Sequence, residues 1–282
     1  MKSDVTTFIL STALVCTAMA GDPAPLASGG HSTDYEHLHF SNCGTPIVHS
    51  FNIEPAFTGR DLFATYRHRN GDVADEQEME LELEWGFTRT FGVIIEMAGI
   101  REDEQPGPTH KGWGDMAVVP RVLLHESGHF MLTGQVEIGL PTGNHGFGGD
   151  TAVAPGVNAW FDLGNWWTLN SQVAFEHAFD ADSNELVFGF GLVKTIGSTD
   201  THLHCAEGHD HRDMAGLFHL HFEVTGAMGL SGDEEGDTSM EGLIGLSYGL
   251  SSGLDLRCGY EFPLTSTEDF NHGMVAGVIW HF

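Results

Sequence analysis

Between residues 78 and 85, acidic and apolar residues alternate: Glu78, Glu80, Glu82 and Glu84 against Met79, Leu81, Leu83 and Trp85. In a helix this order would scatter both kinds around the cylinder; in a strand it makes one acidic and one apolar face. The same period of two recurs from residue 61 onward, in segments separated by Gly, Asn, Asp or Pro. It predicts strands at 61–69, 78–88, 90–101, 113–125, 128–141, 152–163, 166–178, 185–196, 215–228, 239–250, 253–263 and 270–282. Tight connectors around Arg89, 126–128, 164–165 and 251–253 alternate with longer acidic ones at 70–77, 102–112, 142–151, 179–184, 229–238 and 264–269. Short turns at one end and long loops at the other are the asymmetry of bacterial outer-membrane barrels. With both termini at the short-turn, periplasmic end, about twelve antiparallel strands fit. Pro120 falls inside one of them, where a missing ladder donor predicts a bulge.

The final segment sets the faces. Met274, Ala276, Val278, Trp280 and Phe282 share one side, with the aromatics at a membrane boundary, while Gly273, Gly277 and His281 share the other. A last strand ending on Phe282 is the form in which exported barrels meet the barrel-assembly machinery. Composition agrees with an all-β transmembrane barrel. Glycine supplies 37 of 282 residues, well above the usual ~7%, and no stretch after residue 20 is apolar for the ~18 residues a membrane helix needs. Only a closed sheet could cross a bilayer with such a chain. A soluble β-sandwich is the competing fold, but it needs no lipid-facing aromatic belt.

Residues 1–20 read as a signal peptide. Lys2 precedes an apolar run from Val5 to Cys16, and Ala18-Met19-Ala20 is a small-x-small cleavage site before Gly21. The expected destination is the outer membrane of a Gram-negative cell. Residues 21–60 lack strand periodicity and form either a periplasmic arm or a plug; 61–282 form the barrel. A formal charge of -29 argues against nucleic acid, whose phosphates call for basic patches. The expected partners are outer-membrane lipid, lipopolysaccharide and a small solute.

Three motifs carry a family resemblance. Phe51-Asn52-Ile53-Glu54-Pro55-Ala56-Phe57-Thr58-Gly59-Arg60-Asp61-Leu62-Phe63, Gly112-Trp113-Gly114-Asp115 and Leu140-Pro141-Thr142-Gly143 resemble the hallmarks of the "MetA-pathway of phenol degradation" family. Its members are outer-membrane transporter β-barrels. The likeness runs from about residue 45 to the end and implies membrane passage more than it implies an aromatic solute. The His-rich segments of this chain depart from the family pattern.

If each apolar face meets lipid, a polar interior set remains. It comprises Thr65, Arg67, Arg69, Glu80, Glu82, Glu84, Glu96, Arg121, Gln135, Glu137, Asn158, Asn170, Gln172 and Glu176. His219, His221, Glu223, Glu241, Asp255, Arg257 and Glu261 complete it. A charge on the lipid face costs up to ~2–4 kcal/mol at the midplane, so inward placement is favoured. Two readings follow. In one, a narrow pore has an acidic lumen that admits cations and repels anions; in the other, Arg67, Arg121 and Arg257 pair with the glutamates and block it.

Cys43 and Cys205 are candidates for a disulfide in the oxidising periplasm. His202, His204, Cys205, His209 and His211 are candidate ligands for zinc, copper or nickel, or else a solvated loop with no dedicated ion. No other cofactor is expected. The leading expectation is a passive channel for small solutes, aromatic compounds or metal cations among them. A structural barrel with a plugged lumen is the alternative. An outer-membrane lipid hydrolase is a third class, but Ser171 and His177 lie six residues apart on one strand face, roughly 20 Å, so the chain is not expected to be an enzyme.

Overall fold

The computed structural model describes residues 39–41, 43–104, 107–144, 146–148, 151–197, 214–233, 235–268 and 270–282. Twelve strands follow one another in the chain: β1 (Arg60–Asn70), β2 (Ala74–Gly86), β3 (Phe91–Glu104), β4 (Thr109–Glu126), β5 (Phe130–Leu140) and β6 (Ala152–Gly164), then β7 (Trp167–Ala178), β8 (Ser183–Ile196), β9 (Phe218–Ser231), β10 (Thr238–Ser251), β11 (Leu254–Pro263) and β12 (His272–His281). Each pairs antiparallel with its sequence neighbours, and β1 pairs with β12 to close the barrel. Closure removes both sheet edges, as a bilayer requires. No helix among the described residues is long and apolar enough to cross a membrane.

Alternation decides which way each side chain points. On β2, Met79, Leu81 and Trp85 are exposed on the outside while Glu84 is buried within. On β12, Met274, Val278, Trp280 and Phe282 face out, and Val275, Ile279 and His281 face in. Trp280 stacks on Phe282 with ring centroids 6.1 Å apart, and Trp85 lies 6.5 Å from the same ring. These aromatics form an outer belt beside the closing seam, where amphipathic rings suit a membrane interface.

Two expectations change. Pro120 carries no bulge: it stays in register opposite Val93, and the β4–β5 ladder merely skips Val119 and Pro120 before resuming at Arg121↔Gln135. The irregularities fall elsewhere, between Met97 and Gly99 and between Leu123 and His125. The acidic stretches read as long loops also continue as strand. Asp75 and Glu76 pair with Asp103 and Glu102 across β2 and β3, leaving connectors of only 71–73 and 105–108.

The end of the barrel carrying the starts of the odd strands has tight turns. At 165–166 the chain reverses in two residues, Asn165 and Trp166, both at positive φ (52° and 60°), the conformation that matches the twist of paired strands. The connector 198–213 at this end lies outside the described residues, as does the expected signal peptide.

Residues 39–41 and 43–59 are not strand, and most of them are buried. They pack against inward-facing side chains in two apolar clusters at the tight-turn end. One joins Phe40 and Val48 to Val193, Met214 and Leu217; the other joins Ile47, Ala56 and Phe57 to Met131 and Trp160. Glycines on the wall make room. A Cβ on Gly191 would come 2.9 Å from the Ile53 side chain, and one on Gly245 2.6 Å from the Phe51 ring.

Candidate functional site

The lumen is built from two things: the polar inward face of the strands and the inner segment that lies against it. The segment has no ladder of its own, so its backbone groups take their partners from the wall. The Phe51 and Asn52 N–H groups donate to the two carboxylate oxygens of Glu223, at 2.8 and 3.0 Å. The Glu54 N–H donates to Gln172 at 2.9 Å. Thr133 donates to the Ala56 carbonyl at 2.7 Å, Arg257 to that of Ser50 at 3.1 Å, and Arg121 to that of Pro55. Asn170 donates to the Ser50 hydroxyl at 3.0 Å.

The charged residues fall into two groups. Toward the loop end, Arg67 bridges Glu78 (2.9 Å) and Glu261 (3.0 Å), while Arg69 bridges Glu241 (2.6 Å) and Glu261 (3.1 Å). Glu261 has no exposed surface, and each of its oxygens accepts a charge-assisted hydrogen bond from a different guanidinium. Deeper in, Arg121 faces Glu54 at 3.7 Å and Glu84 at 4.0 Å. Glu80, Glu96 and Glu137 add negative charge around Glu54, and Glu176 lies next to Glu137. Burial pushes the Glu54 carboxyl up to about 7; Arg121 opposes the shift, and Glu137 and Glu80 reinforce it. About a quarter of that side chain (24%) stays open to the lumen, so water there relieves part of the burial penalty. Burial likewise pushes the His49 imidazole down, against the pull of Asp61.

Two cavities lie along the axis. The inner one, about 400 Å³, has His49–Pro55 as its floor and Arg67, Glu78, Glu80, Glu82, Glu84, Gln172, Glu241 and Arg257 on its walls. The outer one, about 740 Å³, is rimmed by Glu76, Glu102, Glu185, Asp237 and Glu268 around Arg69. Arg69, Ala227, Ser239 and Glu268 line both, so the two adjoin. The resulting vestibule is acidic, open at the loop end and floored by the inner segment.

No protein-family model matches the sequence, and no curated protein does. Solved structures do resemble it. The COG4313 outer membrane channel from Pseudomonas putida F1 aligns at 12% identity and a TM-score of 0.58, over 83% of this chain and all (100%) of that one. The NanC porin aligns at 11% identity and 0.52, over 78% of this chain and 100% of its own. The translocator domain of the autotransporter NalP from Neisseria meningitidis aligns at 11% and 0.50, over 80% and 89%. The chain has an outer-membrane barrel fold.

The motif residues meet at two places. Gly114-Asp115 and Pro141-Thr142-Gly143 come together at one end of β4 and β5. The Gly143 N–H donates to Asp115 at 2.7 Å, and the Met116 N–H to the Thr142 hydroxyl at 2.8 Å. Glu54, Pro55, Gly59, Arg60 and Asp61 form the passage from inner segment to β1. Arg60 lies over the outer Trp85 ring at 5.0 Å, whereas Asp61 is fully buried.

The other candidates fall out as follows. His219 and His221 are buried, the first 2.8 Å from Thr195 and the second 2.9 Å from Ser247. Asn158 donates to Gln135 at 2.5 Å. Ser171 and His177 lie far apart on β7, and His177 contacts Asn184 at 3.1 Å. His202, His204, Cys205, His209 and His211 lie outside the described residues, and with them the Cys43–Cys205 pairing; Cys43 itself sits 3.5 Å from His129. Sequence periodicity missed His49, Phe51, Ile53 and the buried role of Asp61. His49, Phe51 and Ile53 sit in no alternating run that would mark a face, whereas Asp61 shares the inward parity of Thr65, Arg67 and Arg69 on β1.

Proposed function

We propose that the chain is a passive outer-membrane channel for small solutes, selective for cations, whose inner segment stoppers the tight-turn end. One observation carries this reading: two adjoining cavities with acidic walls run inward from the loop end and stop on residues 49–55. Carboxylates at a low-dielectric mouth focus their field, concentrating cations and repelling anions. The resemblance of the 51–63, 112–115 and 140–143 motifs to the MetA-type transporter barrels supports passage of small molecules and leaves the solute class open between aromatic compounds and metal cations. Conduction then requires the stopper to shift, because its apolar clusters seal the lumen at that end.

The test is single-channel recording of the refolded barrel in planar bilayers, with reversal potentials under a salt gradient. Cation-selective openings are expected. Replacing Glu80 and Glu82 with Gln should lower that selectivity while conductance persists, since neither forms one of the ion pairs that hold Arg67 and Arg69. A second reading, a structural barrel permanently closed by its inner segment, is favoured by those same apolar clusters. It predicts no openings in the wild type, nor in a variant with the segment loosened.

A further inference from the structure

We propose that His49, Asp61 and His281, with Asp255 beside them, form a binding site for one divalent transition-metal ion of the zinc class. The site lies at the tight-turn end, beneath the floor of the inner cavity, which His49 and Glu84 also line, and it does not require that the lumen conduct. Register brings its parts together. Asp61 on β1 pairs directly with His281 on β12 across the closing seam, and both point inward. Asp255 on β11 pairs with Ile279, two residues along β12 from His281. His49, from the inner segment, completes the group from within.

The spacing suits a small ion. One ligand atom from each of His49, Asp61 and His281 lies within 4.8 Å of the other two. His49 Nε2 is 3.3 Å from Asp61 Oδ2, and His281 Nδ1 faces the same carboxylate at 2.6 Å from Oδ1. A tetrahedral ion with bonds of about 2.0–2.2 Å holds its ligand atoms roughly 3.3–3.6 Å apart. The other ring nitrogen, His281 Nε2, is turned to Asp255 Oδ2 at 3.4 Å, the outer carboxylate–imidazole contact that commonly fixes a ligating ring.

Burial and donor type point the same way. His49, Asp61, Asp255 and His281 are all buried, and Glu84 approaches His49 Nδ1 at 3.8 Å. Three carboxylates surround the two imidazoles, with Arg121 4.0 Å from Glu84, so the cluster offers a divalent cation both oxygen and nitrogen donors. Among the described residues, His49 Nδ1 and Asp255 Oδ1 are buried without a hydrogen-bond partner. Gly59 permits the crowding: a Cβ there would collide with the Asp61 and Glu84 carboxylates. Mixed imidazole and carboxylate donors suit zinc rather than calcium or magnesium, which take oxygen alone. Bound there, the ion would cross-link the inner segment to the seam.

The test uses the full chain refolded in detergent, with His202, His204, His209 and His211 replaced by Ala so that the neighbouring connector cannot contribute. Zn²⁺ titration and metal analysis after dialysis should find one equivalent per chain, and Co²⁺ should give the strong visible absorption of a tetrahedral site. Asp61→Asn and His49→Gln should each weaken affinity by roughly tenfold or more, while His177→Gln, on the outer face of β7, should not. Heat-modifiable gel mobility confirms folding in each variant. If Asp61→Asn fails that check, His49→Gln decides, because it leaves the barrel wall intact. Absence of zinc in the folded loop-substituted chain, or undiminished zinc in folded His49→Gln, overturns the proposal and leaves a metal-free hydrogen-bond cluster.

Discussion

Glu223 offers the cleanest test of how firmly the inner segment is held. Its two oxygens receive the Phe51 and Asn52 N–H groups at 2.8 and 3.0 Å, and the residue is 3% exposed. A hydrogen bond to a charged group contributes about 1.5–3 kcal/mol, so Glu223→Ala removes about 3–6 kcal/mol at face value. Water from the adjoining cavity can reach the freed N–H groups, which favours the low end, about 2–4 kcal/mol after that discount. At ~1.4 kcal/mol per tenfold, the open population of the segment should rise by roughly 30- to 700-fold. Glu223→Gln keeps one acceptor and should fall between. Amide hydrogen exchange in a peptide covering 47–57 reads the opening directly, and channel recordings read its consequence. Unchanged protection in folded Glu223→Ala would show that the apolar clusters alone hold the segment. The hydrogen-bond reasoning would then fail.

Arg67→Met should destabilise the barrel by about 3 kcal/mol, the low end for a broken buried pair because Arg69 still reaches Glu261; the check is a lower temperature for conversion to the heat-modified gel band, with Arg67→Lys intermediate. Glu54 has its pKa raised from 4.5 to about 7 when docked, so its contribution to docking is fully present below pH 4.5 and lost as pH rises through 7. Channel open probability should therefore increase between pH 5 and 8 (about the span of that loss). Glu54→Gln should reduce the increase without abolishing it, because Glu80, Glu82, Glu84, Glu96, Glu137 and Arg121 face the same space; an identical pH profile would sink the assignment. Phe282→Ala removes the ring between Trp280 and Trp85 at the seam and should lower the yield of folded barrel in refolding assays while leaving any conductance of the folded fraction unchanged.

Strand number and order were legible because lipid enforces the alternation: an acid at 80, 82 or 84 can meet only the lumen. Alternation lost its meaning where strands leave the membrane. Asp75, Glu76 and Glu102 read as loop because acids there face water on either side, yet the ladder simply continues through them. Pro120 misled differently. The missing donor was absorbed by an unpaired step in one ladder, so the strand kept its register. The inner segment was illegible in detail because its backbone bonds run to side chains of β4, β5, β7, β9 and β11, and such partners impose no period. The juxtaposition of Asp61 with His281 depends on the register of the closing pair, which joins residues 220 positions apart.

The wall itself argues that the inner segment belongs in the lumen. A barrel of twelve strands is too wide for side chains alone to fill and too narrow to be a wide aqueous pore. Here part of the filling is backbone, and the wall yields space for it at Gly191 and Gly245, where any Cβ would strike Ile53 or Phe51. The strands that flank those two, β9, β7 and β11, supply Glu223, Gln172 and Arg257 as partners for the segment's N–H and C=O groups. A chain merely resting in the lumen would need neither. Under the proposed function, conduction would be an equilibrium between docked and shifted states of one segment, and a solute could drive it only through stronger interaction with the shifted state. In the proposed channel, cations gathered by the acidic vestibule would reach the segment's floor first, at Glu54 and Asn52, where the Arg121 ion pair and an Arg67 hydrogen bond converge on it. Weakening those contacts by competition for the carboxylates is a direct way for a cation to favour its own passage.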